Sequence, residues 1–421
     1  MAVISAAFTT NIFSASERSV SRKLGHILGD PTYRLKSGSV QLPSDLVPST
    51  QQAGKTYYVN PAASKPGNNG LSKDYPFRTI REALLMNDVG TIVCQGGQVY
   101  LYGQHGQEGL GLYSGNRSIS IVSEGGYAVF ATARRVGWKE IGPNLYESTD
   151  TKGPVVGVVD MARSTTKLDS ELVRVNSEQE CRLSSRTWFY ENGRVIASLG
   201  HRPNDSLILL QSFRQGISSP GVTLHCRGIH FIGGSDGAFS DKGALGSTLI
   251  FERCRFSHSW RADGLRVQDS KLVVSVDSDA FRNAKDGFNY HSGKLGAPHF
   301  LEIRCRGFGN KKQGTGNGST AHDGCVGMRF DCTYSSNNGP GIADVGSKTW
   351  NVRCVSMDNG TNRNSFGIYI GGNGECWLDE VYASNKVGKG VYVESGSTLH
   401  AIKLESSILL GENAVVDSMM T

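Results

Sequence analysis

The feature that most constrains this chain is a repeat in its C-terminal half that keeps two markers in step. An Asn or Ser stands five residues after a small, buried-type residue, in most units a Cys. The pairs are Cys254/Ser259, Ser278/Asn283, Cys305/Asn310, Cys332/Asn337, Cys354/Asn359 and Glu380/Asn385. Each is followed by a glycine and an apolar residue: Gly264-Leu265, Gly287-Phe288, Gly324-Cys325, Gly341-Ile342, Gly367-Ile368 and Gly390-Val391. By subtraction, the glycines step by 23, 37, 17, 26 and 23 residues. One unit of such a length cannot bury its apolar face alone, so successive units stack into a solenoid.

The pattern inside each unit alternates. Gly264-Leu265-Arg266-Val267 and Gly390-Val391-Tyr392-Val393 put one face inward and one outward along a strand. The glycine allows a positive-φ bend or a close backbone approach. The recurring Asn tolerates the left-handed conformation of a tight turn and, stacked on its neighbours, builds an amide ladder.

The rest of the chain divides around this repeat. Residues 1–54 read as an attachment segment and linker. Ser14 to Leu24 carry a short helical pattern, and Leu42-Pro43-Ser44-Asp45-Leu46-Val47-Pro48-Ser49 reads as the linker. Residues 55–136 begin the coil. Thr79 and Glu82 form a capping box for an amphipathic helix that covers the open end of the solenoid. Residues 137–208 change pattern. Asn144-Leu145-Tyr146-Glu147, Val155 to Asp160, and Trp188 to Val195 with its Asn192-Gly193 hairpin signal predict an inserted antiparallel β-subdomain. Residues 209–421 are the main parallel coil, and no separate trimerisation domain is evident after it.

With 421 residues the chain suffices for one elongated domain with a long core. Its 53 glycines against 12 prolines suit many turns. A net charge of +6 permits acidic polymers as ligands. No aromatic-plus-basic groove points to nucleic acid, and no apolar run points to membrane insertion. The nine cysteines are odd in number and lack zinc spacing. Cys226, Cys254, Cys305, Cys332 and Cys354 fall at like positions in successive units and act as small buried residues. Free thiols and the N-terminus Met1-Ala2-Val3-Ile4-Ser5, without a secretory pattern, suggest folding in a reducing cytoplasm.

Five segments carry a family resemblance: Tyr57-Tyr58-Val59-Asn60-Pro61, Asn68-Asn69-Gly70-Leu71, Pro76-Phe77-Arg78-Thr79-Ile80-Arg81-Glu82-Ala83-Leu84, Lys285-Asp286-Gly287-Phe288-Asn289-Tyr290-His291 and Ser319-Thr320-Ala321-His322-Asp323-Gly324. Over roughly residues 56 to 410 the chain resembles the right-handed, single-stranded parallel β-helix proteins of the pectate-lyase-like superfamily, of the bacteriophage tailspike and polysaccharide depolymerase type. The resemblance implies an all-β solenoid. It also implies a bacterial surface polysaccharide as ligand, a homotrimer, and contacts to other virion tail proteins through residues 1–54. The location is then the phage tail or, alternatively, the extracellular space. A non-catalytic receptor-binding protein and a cellular or secreted lyase remain as alternatives, because the fold serves several functions.

Setting the Gly-apolar pairs in register stacks Asp263, Asp286 and Asp323 on three coils at about 4.8 Å spacing. Alternation adds Arg266, Asn289 and His291 outward, with Lys285 and His322 adjoining. The long insertion Gly309 to Ala321 lies beside this band. Three readings follow. Asp286 and Asp323 are a glycosidase acid and nucleophile or base. Alternatively, the aspartates bind Ca²⁺ while His291, Lys285 or Arg266 abstracts a proton from a uronic acid. Or Asp-Gly is turn chemistry repeated with the coil. Asp286, Asp323, His291 and His322 are the catalytic candidates. Asp263, Arg266, Lys285 and Asn289 are the substrate-binding candidates. No metal site and no obligatory cofactor is read, with Ca²⁺ admitted by the second reading. The Asn-Thr-Asp, Asp-Asp, Gly-His-Gly and Arg-Ile-Lys set of polygalacturonases is absent, and so is a clean pectate-lyase calcium and lysine pattern. No catalytic residue carries over by motif.

Overall fold

The computed structural model describes residues 53–418, apart from 104–105, 108–111, 114–116, 135, 150–153, 162–170, 204–206, 212–215, 218–221, 243–246, 311–315, 361–365, 388–389 and 402–403. The attachment segment and its helical pattern at Ser14 to Leu24 lie outside the described residues.

The chain winds as a right-handed parallel β-helix of about ten turns. Each turn gives one strand to each of three long sheets of 12, 11 and 10 strands. We number them in the order the chain visits them. A typical turn runs His299–Ile303 in the first sheet, Arg306–Phe308 in the second and Ser319–His322 in the third. Alternate side chains fill the lumen. Phe231 stacks on Phe256 with ring centres 5.5 Å apart, and Tyr290 on Phe300 at 4.2 Å. The same core takes in Ile80 and Ala83 of the helix Ile80–Leu84. Its capping box is formed: the Glu82 amide donates to Thr79 Oγ1 at 3.2 Å, and the Thr79 amide to Glu82 Oε2 at 2.7 Å. The helix thus covers the lumen's open end. Among the described residues no helix is long and apolar enough to cross a membrane.

The corner between the first two sheets repeats one device. Arg253, Asp277, Arg304, Asp331, Arg353 and Glu380 each adopt φ between 48° and 55°. Their charges largely alternate, so outward pairs form down the stack. Arg304 donates to both oxygens of Asp277 at 2.7 and 2.8 Å, and Arg353 to those of Asp331 at 2.8 and 3.0 Å. Cys254, Ser278, Cys305, Cys332 and Cys354 follow these residues and face the core. Two members of the sequence repeat are corrected here. Cys226 lies inside the strand Thr223–Arg227, opposite Phe251, not at the corner. In the last unit Val381, not Glu380, takes the buried place, because Val355 pairs with Tyr382.

The amide ladder is real, but its turn works differently. The left-handed residue is the one before each Asn or Ser: His258, Arg282, Gly309, Ser336 and Asp358. The Asn side chain is thereby turned inward along the stack. Asn283 donates to Asn310 Oδ1 at 3.0 Å, Asn310 to Asn337 at 2.9 Å, and Asn337 to Asn359 at 2.9 Å.

Between the early and main coils the chain leaves the solenoid. Lys139–Gly142, Leu145–Ser148, Arg194–Ser198, Thr187–Glu191 and Val173–Arg174 make a five-stranded, mainly antiparallel sheet. The Asn192-Gly193 turn has φ of 49° and 80°, as a two-residue hairpin requires. A second small sheet joins Ala133–Arg134, Leu207–Gln211 and Val155–Asp160. Its Val159, Ile208 and Leu210 pack on Val129, Ala131 and Ile232, the outer side of the second coil sheet. Sequence reading puts the coil boundaries at 136/137 and 208/209. In the structure both flanking strands belong to this side sheet, because each is paired into it.

Candidate functional site

The third sheet carries the titratable band on its outer face. A row of glycines sets the register. Gly264, Gly287 and Gly318 sit so close to the next turn that an added Cβ would lie 2.5–2.6 Å from the carbonyl oxygens of Gly287, Gly318 and Gly341. Close approach, not positive φ, is the reason for glycine at these positions. The stacked glycines are therefore 264, 287, 318, 341, 367 and 390, with steps by subtraction of 23, 31, 23, 26 and 23. Gly324 has φ of 79° and belongs to the turn after the strand.

This register corrects the expected column. Asp263 and Asp286 stand on adjacent turns, and the Asp286 amide donates to Asp263 Oδ1 at 3.2 Å. The next place is held by Asn317, whose amide donates to Asp286 Oδ1 at 2.8 Å. Asp323 lies exposed at the far end of the strand Ser319–His322, with φ of 38°. It does not face Asp286. The physical reason is the long insertion, which comes before Gly318 and leaves Gly324 outside the row.

Asp263 is 2% and Asp286 8% exposed. Asp286 Oδ2 accepts from Asn289 Nδ2 at 3.1 Å and from Thr320 Oγ1 at 2.8 Å, while Asn317 Nδ2 donates to Thr320 Oγ1 at 3.1 Å. Burial, reinforced by the charge of Asp263, pushes the Asp286 carboxyl up to about 7. Burial also raises Asp263, against the pull of Arg266, whose Nε is 3.9 Å from Asp263 Oδ2. Three buried polar atoms here make no hydrogen bond among the described residues: Arg266 Nε, Asn289 Oδ1 and Asn317 Oδ1. Unsatisfied buried groups are costly, and a hydroxyl-rich ligand supplies both donors and acceptors to such atoms.

One step along the same strands, His291 and His322 stack face to face with ring centres 4.3 Å apart and planes 6° from parallel. Burial first, then His322, Arg266 and Lys285, lowers His291 to about 3. Burial lowers His322 against the opposing effect of Asp323 and Asp344. Both rings are neutral at physiological pH. Lys285 is exposed beside Asp286. The structure thus brings together Asp263, Asp286, Arg266, Asn289, His291 and His322 with Lys285 at the rim, and leaves Asp323 at the other end of the strand. Asn317 and Thr320 are additions. Counting outward positions from Gly318 rather than Gly324 finds Thr320.

Among the described residues no group of three or more His, Cys, Asp or Glu side chains is placed to hold a metal ion. Two carboxylates with a guanidinium against one of them do not fit Ca²⁺, which takes six to eight oxygens.

No protein-family model matches the chain, and no curated protein matches it by sequence. In fold it is similar to the complex of XylC with xylose, at 10% identity and TM-score 0.56 over 84% of this chain and 69% of that one. It is similar also to a glycoside hydrolase, at 11% identity and TM-score 0.53 over 86% and 96%. With the three stacked parallel sheets, these likenesses make the fold a right-handed parallel β-helix.

Proposed function

We propose that this protein binds and depolymerises a polysaccharide along the outer face of its third sheet. The observation that carries the reading is the buried pair Asp263–Asp286, with Asp286 at about 7, beside Arg266 Nε and Asn289 Oδ1, neither of which makes a hydrogen bond among the described residues. Perturbed carboxyl pairs on an outward face are the signature of acid–base work on glycosidic bonds. Among structures similar in fold, one holds xylose and another is named a glycoside hydrolase. In this reading Asp286, protonated, gives its proton to the leaving glycosidic oxygen, and Asp263 attacks or stabilises the anomeric carbon. Adjacent turns, about 4.8 Å apart, suit the spacing of a retaining pair. Arg266, Asn289 and Lys285 bind the chain.

The setting we propose is a phage tailspike acting on a bacterial surface polysaccharide, with a homotrimeric assembly and tail contacts through residues 1–54. Nine free, buried cysteines support folding in a reducing compartment.

One observation favours a second chemistry. Neutral His291, flanked by the cations Arg266 and Lys285, suits proton abstraction next to a uronate carboxylate. A pH profile separates the two. An Asp286 acid must be protonated, so activity falls as pH rises through about 7. Asp286→Asn then loses about 10²–10⁴-fold in kcat, while circular dichroism and glycan binding stay unchanged. A His291 base at about 3 is already free, so activity persists above pH 7, and His291→Gln is the variant that fails. Equal loss of binding and folding in Asp286→Asn would remove it from the chemistry.

A further inference from the structure

The outer columns of the third sheet that carry the carboxyl pair continue past it. Strand pairing extends the column of Arg266, Asn289 and Thr320 through Ala343 and Tyr369 to Tyr392. Asp263, Asp286 and Asn317 precede the stacked glycines 264, 287 and 318, and Phe366 stands in the same way before Gly367. The strand Ile368–Gly371 lies three places from Phe288–His291, and Val391–Val393 lies four. Those places are about 14 and 19 Å away.

At this far end three rings gather. Phe366 and Tyr392 stack with ring centres 4.7 Å apart and planes 15° from parallel, and Tyr369 lies 5.8 Å from Tyr392, tilted by 31°. Phe366 is buried, while Tyr369 and Tyr392 are half-buried. Two polar groups meet beside the rings. Gly371 follows His322 and Val345 in their outward column. A Cβ at Gly371 would lie 2.5 Å from Tyr369 Oη and 2.6 Å from Glu394 Oε2, so the missing side chain admits both. The Tyr369 hydroxyl is hydrogen-bonded to Glu394, and the Gly372 amide holds that carboxylate by donating to Oε2 at 2.8 Å. Flat apolar rings with polar groups at their edge match a sugar, which has an apolar C–H face and a rim of hydroxyls.

We infer that Phe366, Tyr369 and Tyr392 form a distal subsite for an uncharged sugar ring of the same polysaccharide that reaches Asp263 and Asp286. Glu394 accepts from hydroxyls and repels a uronate carboxylate there. The polymer then runs along the solenoid axis across both places, and fragments too short to reach both bind weakly. This subsite rests on the polysaccharide reading above and adds to it the length and charge of the ligand.

Affinity electrophoresis tests it, through gels cast with bacterial capsular, exopolysaccharide or O-antigen preparations. The full chain carries Asp286→Asn, which blocks the proposed acid. At least one preparation should retard it. Adding Tyr369→Ala/Tyr392→Ala should weaken that affinity by about tenfold, the scale of losing an aromatic anchor. Tyr392→Phe should keep it, and so should Tyr382→Ala, a tyrosine 38% exposed on the second sheet. Equal retardation with and without the two tyrosines would overturn the subsite and leave the proposed function standing. No retardation by any preparation would overturn both. Should the double variant lower the urea midpoint, Tyr392→Leu, which keeps an apolar contact with Phe366 but loses the flat ring, decides by the same criterion.

Discussion

Replacing Arg329 by Met should lower stability by about 3–5 kcal/mol, the cost of removing one partner from a buried ion pair. Arg329 is wholly buried inside the coil, on the strand Val326–Phe330. Its Nη1 donates to Asp344 at 3.0 and 3.2 Å and to Asn351 Oδ1 at 3.1 Å, and its Nε to Ser319 Oγ at 2.8 Å. Ser319 donates onward to Glu302 Oε1 at 2.6 Å, and Tyr334 to Glu302 Oε2 at 2.7 Å. One cation therefore serves two buried carboxylates. Burial already pushes Glu302 up to about 7, so without Arg329 it takes up a proton, while Asp344 loses the guanidinium paired with it. Urea unfolding reads the loss directly. Adding Asp344→Asn to Arg329→Met should restore part of it, because the stranded charge is then gone. A loss under about 0.5 kcal/mol, the size of an ordinary surface change, would mean that the network is not buried as described.

Asn310→Ala is the second large effect. Asn310 Oδ1 accepts from the Asn283 amide at 3.1 Å and from Asn283 Nδ2 at 3.0 Å, and its own Nδ2 donates to Asn337 and to the Ala280 carbonyl. Truncation leaves several groups of a fully buried ladder without partners, each worth about 1–3 kcal/mol. Ser259 ends the ladder: its amide donates to Asn283 Oδ1 at 3.2 Å, and no side-chain amide of a described residue on an earlier turn donates to it, so Ser259→Ala should cost less. Urea midpoints of the two variants give the comparison. Equal costs would show that the rungs are independent, not a stack.

Much of this fold was legible in the sequence because its repeat markers answer to steric and hydrogen-bonding demands that every turn repeats. A row of glycines follows from backbone approach, and a row of asparagines from an amide ladder, and neither depends on remote residues. The capping box of Thr79 and Glu82 and the Asn192-Gly193 hairpin were legible for the same local reason. Register across the insertion was not. Gly318 and Gly324 both precede a small or apolar residue, and only the approach of the Gly341 carbonyl distinguishes them. That choice moved Asp323 out of the column and brought Asn317 and Thr320 in. The buried Arg329 network was also illegible, since a lumen-facing arginine contradicts the alternation rule unless its carboxylates on other turns are known. The side sheet's middle strand hid for a similar reason: Leu207–Gln211 reads as apolar coil whichever sheet it joins.

The most direct test of the proposed activity is product chemistry. The purified full chain is incubated with bacterial capsular, exopolysaccharide and O-antigen preparations, and reducing ends and ultraviolet absorbance are followed together. The expected result is new reducing ends without absorbance from at least one glycan, abolished in Asp286→Asn. Reducing ends with absorbance would move the chemistry to His291. A glycan bound tightly on the third-sheet face and left uncut by the wild type would contradict the catalytic claim and leave a receptor-binding protein.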